Sequence, residues 1–170
     1  MAIRRKTLCI VGVAAIAIAF AIFFVALPGL EERPLPTDQE LISNFKQHRA
    51  GFDRLRDMVM QDKGLLIITN DRTWPEDPQA AGVSQSRIAE YRALLKELGI
   101  HGGLSASVDR TTIQLTSASR GFVTHGSEKG YEYASEPIRT YLVPNLELLS
   151  KGGLGWRPIE DGWYLYFKGD

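Results

Sequence analysis

The chain has 170 residues, enough for one membrane anchor and one domain, and its formal charge at pH 7 is zero. The charge is uneven: residues 31–170 hold all 20 acids and 17 of the 20 bases, so this part is net acidic and lacks the overall positive charge that nucleic-acid binding usually needs. Cys9 is the only cysteine, which excludes disulfides, thiolate metal sites and a cysteine nucleophile within residues 31–170.

The first element in chain order is a predicted transmembrane helix. Leu8 to Leu27 is a run of 20 almost entirely apolar residues, and a helix of about this length spans a bilayer core of roughly 30 Å. A cleaved signal peptide is the alternative, but the run is longer than a usual signal sequence and lacks suitable small residues before a cleavage site. Because Arg4, Arg5 and Lys6 precede the run, the positive-inside rule predicts a cytoplasmic N-terminus in a single-pass signal anchor of the inner membrane.

The rest of the chain is predicted to be one domain on a short linker. We divide the sequence into residues 1–30, the basic end and anchor; residues 31–37, the linker; and residues 38–170, a periplasmic or extracellular domain. Pro34 and Pro36 favour an extended linker that reaches only about 20 Å. We therefore expect the domain to lie close to the membrane surface.

Two helices are predicted at the start of this domain. Thr37 and Glu40 have the spacing of a capping box, and an apolar stripe that follows them indicates one helix of about 24 residues. The stripe consists of Leu41, Phe45, His48, Phe52, Leu55 and Val59. Ser84 and Gly99 are the predicted N-cap and C′ residues of the second helix. Between the two helices, residues 65–69 are a strand or a buried connector, and residues 70–82 have the composition of a loop.

From Gly102 onward the apolar residues alternate with polar ones, which predicts an antiparallel sheet. The expected strands are residues 104–108, 111–117, 121–125 and 131–135, followed by a hairpin over 157–167 that turns at Asp161-Gly162. A long connection with one short helical turn is expected over 137–155. The predicted fold class is α+β, with two helices packed on one face of an antiparallel sheet of four to six strands.

The stretch GSEKGYEY contains three of the four candidate ligand-binding residues. Gly126 and Gly130 are typical of a turn, and such a turn can form a backbone nest that holds an anion together with Lys129. Tyr131 and Tyr133 share one face of the strand that follows and would line this site. The alternative is a structural hairpin loop whose tyrosines pack against the helices.

His48 is the fourth candidate, either as a pH-sensitive contact or general base, or as a histidine at the edge of the core. A hydrolase that uses His48 or His125 with a nearby serine is a further reading, although no serine elbow motif is present. No HxH, HxxxH or HExxH pattern occurs, and we expect neither a metal nor a cofactor. Trp74 lies beside prolines in a loop and could form a contact surface.

Three segments in this order, NFKQHRAGFDRLRDM (44–58), RIAEYRALLKELGI (87–100) and GSEKGYEY (126–133), resemble a group of small bacterial proteins. Members of that group have an N-terminal anchor or a lipid-attachment signal and no assigned function. The resemblance covers most of residues 38–167 and implies an extracytoplasmic domain without supplying an activity. Lipid attachment is not carried over, because Cys9 stands too early in the apolar run.

The sequence therefore supports three hypotheses. The first is a non-enzymatic, membrane-anchored domain that binds a protein or another component of the cell envelope. The second is a domain that binds a small ligand in a pocket near Lys129 and Tyr131. The third is a hydrolase that uses one of the histidines.

Overall fold

The structure of the protein, a computed structural model, describes residues 34–122, 125–149 and 152–169. These residues form three α-helices, two short 3₁₀-helices and seven strands, so the fold class is α+β as predicted. The helices are α1 (Asp38–Gln47), α2 (Arg49–Gln61) and α3 (Gln85–Glu97), and the 3₁₀-helices are Pro78–Ala81 and Leu146–Leu149. The strands are β1 (Ile67–Ile68), β2 (Thr73–Trp74), β3 (Gly103–Ala106), β4 (Thr112–Phe122), β5 (His125–Ala134), β6 (Gly153–Pro158) and β7 (Trp163–Gly169).

The predicted anchor, Leu8 to Leu27, lies outside the described residues. Within the described part of the chain, no helix combines the length and the apolar character needed to cross a bilayer.

The seven strands form one antiparallel sheet in the order β2-β1-β3-β4-β5-β7-β6. The described residues therefore contain more helices and strands than the two helices and four to six strands that were predicted. β1 lies within residues 65–69, for which a strand or a buried connector was expected, and β2 lies within the predicted loop. Each strand has only two residues, too few to show an alternating pattern, so the sequence left the first open and did not indicate the second.

The core lies between the helices and one face of the sheet. Alternate residues of the central strands point toward the helices, and these residues are buried: Ile113, Leu115, Tyr131, Leu165 and Phe167. At the centre, the rings of Phe45 and Phe52 from α1 and α2 contact Tyr131 and Trp163, with centroid distances between 4.6 and 6.2 Å. Aromatic pairs of this kind contribute about 0.5–1.5 kcal/mol each beyond their burial.

The first predicted helix is broken at His48, which corrects the expectation of one continuous helix. His48 has φ −113° and ψ 22°; its N–H donates to the Asn44 carbonyl, and its own carbonyl accepts from Gly51 and Phe52. The apolar stripe continues across the break with its spacing unchanged, so Leu41, Phe45, Phe52, Leu55 and Val59 are all buried. A pattern of apolar spacing cannot reveal an irregularity that preserves the spacing.

GSEKGYEY is not a turn, which corrects the predicted hairpin loop. The stretch lies within β5, and the β4–β5 ladder continues from Thr112–Ala134 to Phe122–His125. Gly130 lies beside a bulge in β4, where an added Cβ would overlap the Leu115 carbonyl oxygen. This glycine is therefore explained by the close approach of two strands, and not by a turn with positive φ.

Several predicted ends are confirmed. Thr37 and Glu40 form the capping box of α1, and the Ser84 hydroxyl accepts from Arg87 N at the start of α3. Gly99 has φ +69° directly after that helix. The β6–β7 hairpin turns at Asp161 and Gly162, which both have positive φ, as a tight hairpin turn requires.

Candidate functional site

A polar cluster built around the buried pair Asp38 and Lys129, the Asp38 cluster, joins the start of α1 to the sheet. It consists of Asp38, Lys129, Glu147 and Arg157. The Asp38 carboxylate lies 2.7 Å from the Lys129 ammonium, and it accepts hydrogen bonds from Arg157 Nη1 at 2.8 Å and from Leu146 N at 3.0 Å. The Asp38 N–H donates to Glu147 Oε1 at 2.9 Å. The cluster therefore connects the helix to β5, β6 and the second 3₁₀-helix.

The cluster keeps the Asp38 carboxyl charged. Asp38 and Lys129 are 2% and 3% exposed, and burial by itself raises the pKa of a carboxyl group. Hydrogen bonds from Lys129, Arg157 and the Leu146 amide outweigh burial, and the pKa of Asp38 falls below its ordinary value. An ion pair at this depth fixes how the elements meet, because leaving either partner without the other is strongly unfavourable.

We expect Asp38→Asn to lower the free energy of unfolding by about 2 kcal/mol at pH 7, because it removes charge-assisted hydrogen bonds. The pKa of Asp38 is lower in the folded state than its ordinary value of 3.8. Its stabilising effect is therefore complete above that value and is lost as the pH falls through the folded-state pKa. The difference between wild type and variant should thus shrink on acidification.

Urea unfolding of the full chain in mild detergent, followed from pH 7 to pH 2.5, measures this difference. The control is Asp57→Asn, which removes a carboxylate that is 59% exposed and should change the stability by less than about 1 kcal/mol at pH 7. A difference between wild type and Asp38→Asn that stays constant over the whole range would contradict a titrating carboxylate at Asp38.

A cleft of about 180 Å³ adjoins the Asp38 cluster. Its apolar lining includes Leu35, Leu146 and Phe167, and Lys129 and Glu147 supply charged groups. The second hypothesis placed a pocket near Lys129 and Tyr131, and this cleft contains only the first of those two residues in its lining. Lys129 and Glu147 already serve the cluster, since Lys129 pairs with Asp38 and Glu147 accepts the Asp38 N–H. Arg120 also lines the cleft.

The two candidate tyrosines lie in the core of the domain, whereas the predicted site required them to be accessible to a ligand. Tyr131 is fully buried; its hydroxyl donates to the Leu41 carbonyl and accepts from Asn44 Nδ2, both at 3.0 Å. Burial raises the pKa of Tyr131 to about 12, so the hydroxyl stays protonated at neutral pH. Tyr133 is partly buried and packs its ring beneath the Arg56 guanidinium at 5.3 Å. Lys129, Tyr131 and Tyr133 share the inner face of β5, where they form core contacts.

The three histidines belong to different elements of the fold. His48 lies half-buried at the junction of α1 and α2, and His101 is exposed after α3. His125 is the first residue of β5, and its side chain lies outside the described part of the structure. Among the residues that the structure describes, no three His, Cys, Asp or Glu side chains are grouped so that they could hold a metal ion.

A different surface is formed by the terminal strand of the sheet. We call it the Trp74 edge, and it consists of Ile67 and Trp74, which are paired across β1 and β2 and are 40% and 57% exposed. The Trp74 carbonyl accepts from Leu66 N at 2.8 Å, and the Thr73 hydroxyl donates to the Pro75 carbonyl at 2.8 Å. The backbone that carries Trp74 is thus held on both sides, so the indole is presented at low entropic cost.

A polar cleft of about 310 Å³ lies next to β2, where it is lined by Thr73 but by neither Trp74 nor Ile67. The cleft lining contains Asp71, Arg72, Glu76 and Arg92 around an apolar floor of Ile88 and Pro78. Arg92 Nε donates to the Thr69 carbonyl at 3.0 Å, which holds α3 against the β1–β2 turn. The exposed tryptophan is, by itself, of a residue type that is enriched in protein contact surfaces.

Sequence patterns indicated Lys129 and Trp74 but not the other members of the Asp38 cluster and the Trp74 edge. Asp38 follows an N-cap and reads as an ordinary acid of a first helical turn. Arg110 was also missed; it is 6% exposed and donates to the carbonyls of Asp62, Lys63 and Leu65 at the end of α2. The only local signal for Arg110 is its place in a turn, where its φ is +62°.

The chain matches no known protein family, no curated protein and no solved structure. The resemblance to small anchored bacterial proteins therefore stays a prediction.

Proposed function

We propose that the protein is a single-pass, membrane-anchored domain that binds an envelope protein outside the cytoplasm through the Trp74 edge. The observation that carries this proposal is the exposure of the Trp74 and Ile67 side chains on a backbone held by hydrogen bonds. Tryptophan is enriched at the energetic centres of protein interfaces, because its large ring loses few degrees of freedom on binding. The predicted anchor, Leu8 to Leu27, would hold this surface in the periplasm or outside the cell.

The position of the Trp74 edge within the sheet supports the same function. The Asp38 cluster attaches the start of the domain to β5 and β6, whereas β2 is the terminal strand at the other end of the sheet. Four strand spacings of about 4.8 Å separate β5 from β2, a distance of about 19 Å. A tether at one end and an apolar surface at the other would leave that surface accessible to a partner.

Photo-cross-linking in cells tests this function directly. A photoreactive phenylalanine analogue at position 74 of the full chain should give one discrete product with a partner protein, which mass spectrometry identifies. The same analogue at Lys46, an exposed position on α1, is the matched control and should not give that product. Adding Ile67→Asp should reduce the yield of the cross-linked product from position 74, because the apolar surface beside that position would then carry a charge.

Three results would contradict the proposal. Identical products from positions 74 and 46 would show that Trp74 is not a specific contact. If carbonate released the chain from membranes, that result would contradict a transmembrane anchor. If the domain were protected from protease added to spheroplasts, that result would contradict its location outside the cytoplasm. The second candidate function, small-ligand binding, is supported by the 180 Å³ cleft beside Lys129, and it becomes the function to test if no partner is captured.

A further inference from the structure

A second group of exposed apolar residues surrounds the other end of the sheet. We call it the β6 rim; its members are Tyr141, Leu142, Leu148 and Leu154, which are 66%, 46%, 71% and 38% exposed. Tyr141 and Leu142 lie beside β6, which carries Leu154, and the 3₁₀-helix that carries Leu148 contacts the same strand. Residue 142 bridges to Trp156 as a parallel partner, and the rings of Tyr141 and Trp156 lie 6.4 Å apart.

The rim lies where the chain enters the domain. Pro34, Pro36 and Thr37 line the same cleft as Leu146 and Glu147, so the segment before α1 lies beside the second 3₁₀-helix. The next residue, Asp38, donates its N–H to Glu147 Oε1 at 2.9 Å. Leu148 directly follows Glu147 in that 3₁₀-helix. The buried ion pairs of the Asp38 cluster prevent this corner from moving away from the point where the chain enters.

The chain before this corner limits its distance from the membrane. Seven residue steps separate Leu27, the end of the predicted span, from Pro34, and a fully extended chain covers at most about 25 Å over seven residues. The corner beside the β6 rim would therefore lie within about 25 Å of the end of the predicted span. This step rests on the proposed function, because it requires the anchor.

The side chains of the rim and of its margin suit a lipid surface. Leucine side chains gain free energy on leaving water, and tyrosine places its ring in the apolar region while its hydroxyl stays among the headgroups. Two cations lie at the margin. Arg139 is exposed two residues before Tyr141, and Lys168, the cross-strand partner of Leu154, is 39% exposed at its side chain and also contacts Gln114 and Glu128. Basic groups in these positions can contact lipid phosphates.

We propose that the β6 rim rests on the extracytoplasmic leaflet, with its leucines at the boundary between headgroups and acyl chains. The domain then has a fixed orientation on the membrane, with the Trp74 edge directed away from the bilayer. A lipid surface is favoured over a protein partner at the rim because the tether ends at this corner.

Collision accessibility of a spin label tests the proposal on the full chain. With Cys9 replaced by alanine, single labels are placed at Leu148→Cys and, separately, at Val108→Cys, an 82% exposed position on the β3–β4 turn. The chains are reconstituted into vesicles of phosphatidylcholine and phosphatidylglycerol. We expect the ratio of oxygen to nickel-chelate accessibility to be several-fold higher at position 148 than at position 108, because oxygen partitions into the bilayer and the chelate does not. A third label at Leu154→Cys should behave as the label at 148 does.

Any other outcome of the spin-label experiment overturns the proposal. Equal ratios at 148 and 108 would show that the rim faces water. Low accessibility to both reagents at 148, with dipolar broadening between labels, would show a second copy of the chain on the rim. If the chain does not float with the vesicles, the anchor itself fails, and with it the proposed function. Circular dichroism melts that match the unlabelled chain exclude misfolding as a cause, since all three labelled positions are exposed.

Discussion

Replacing Lys129 by methionine is expected to lower the free energy of unfolding by about 3 kcal/mol. Methionine keeps the length of the side chain but removes the ammonium that lies 2.7 Å from Asp38. Among the described residues, Arg157 would remain as a cation beside Asp38. Breaking one side of a buried pair typically costs about 3–5 kcal/mol. Because Arg157 remains, we expect the lower end of that range. Urea unfolding of the full chain in mild detergent, followed by tryptophan fluorescence, measures the change.

The matched control is Lys46→Met, the same substitution at an exposed lysine of α1, which should change the stability by less than about 0.5 kcal/mol. The double variant Asp38→Asn with Lys129→Met should be more stable than the sum of the two single changes predicts, because the two groups interact directly. Equal unfolding midpoints for Lys129→Met and Lys46→Met would show that the Asp38–Lys129 pair does not form in solution.

The Lys129 result also bears on the ligand-binding hypothesis for GSEKGYEY. A lysine of an anion-binding nest can be removed at little cost to stability, since its ammonium faces solvent and the ligand. A lysine that is 3% exposed and pairs with Asp38 is needed by the fold. A large loss of stability therefore supports a structural role for the stretch, and leaves the Trp74 edge as the surface available for a partner.

The sequence predicted elements whose signals are local. The capping box at Thr37, the N-cap at Ser84 and the glycine after α3 each depend on residues within four positions of each other, and all three are present. The hairpin at Asp161-Gly162 is of the same kind. Turn and cap residues have this predictive value because their conformational preferences act within one turn of the chain.

Features that depend on distant parts of the chain could not be predicted. Asp38 and Lys129 stand 91 positions apart, and nothing near either residue indicates the other. Glycine and serine suit both a turn and a close strand pair, so GSEKGYEY was assigned to the commoner of the two. The long β4–β5 ladder decides the matter, because its register continues through the stretch. Tertiary pairing thus overrode a local signal that was ambiguous.

The two apolar surfaces give the proposed function a direction. The Asp38 cluster fixes the start of the domain at β5 and β6, and the β6 rim surrounds the same corner. The Trp74 edge occupies the strand at the opposite end of the sheet order. If the rim rests on lipid, the rigid sheet would present Trp74 to the envelope space at a fixed height, which suits capture of another envelope protein.

Gly130→Ala is expected to lower the free energy of unfolding by about 3 kcal/mol or more, and it tests the position of GSEKGYEY in the sheet most directly. The added methyl group would overlap the Leu115 carbonyl oxygen and stand 2.8 Å from Ser117 N, both of which are backbone atoms that cannot rotate away. β4 and β5 would have to separate beside the bulge.

The same urea titration measures the loss, with Gly99→Ala as the control. Gly99 has φ +69° and nothing within 4 Å of its Cβ position, so the change should cost only about 1 kcal/mol for the backbone conformation. If GSEKGYEY were an exposed turn, the two alanine variants would be about equally stable. Equal stability would therefore indicate that the stretch is a loop. A much larger loss for Gly130→Ala would place it inside the β4–β5 ladder, with Lys129 directed at Asp38.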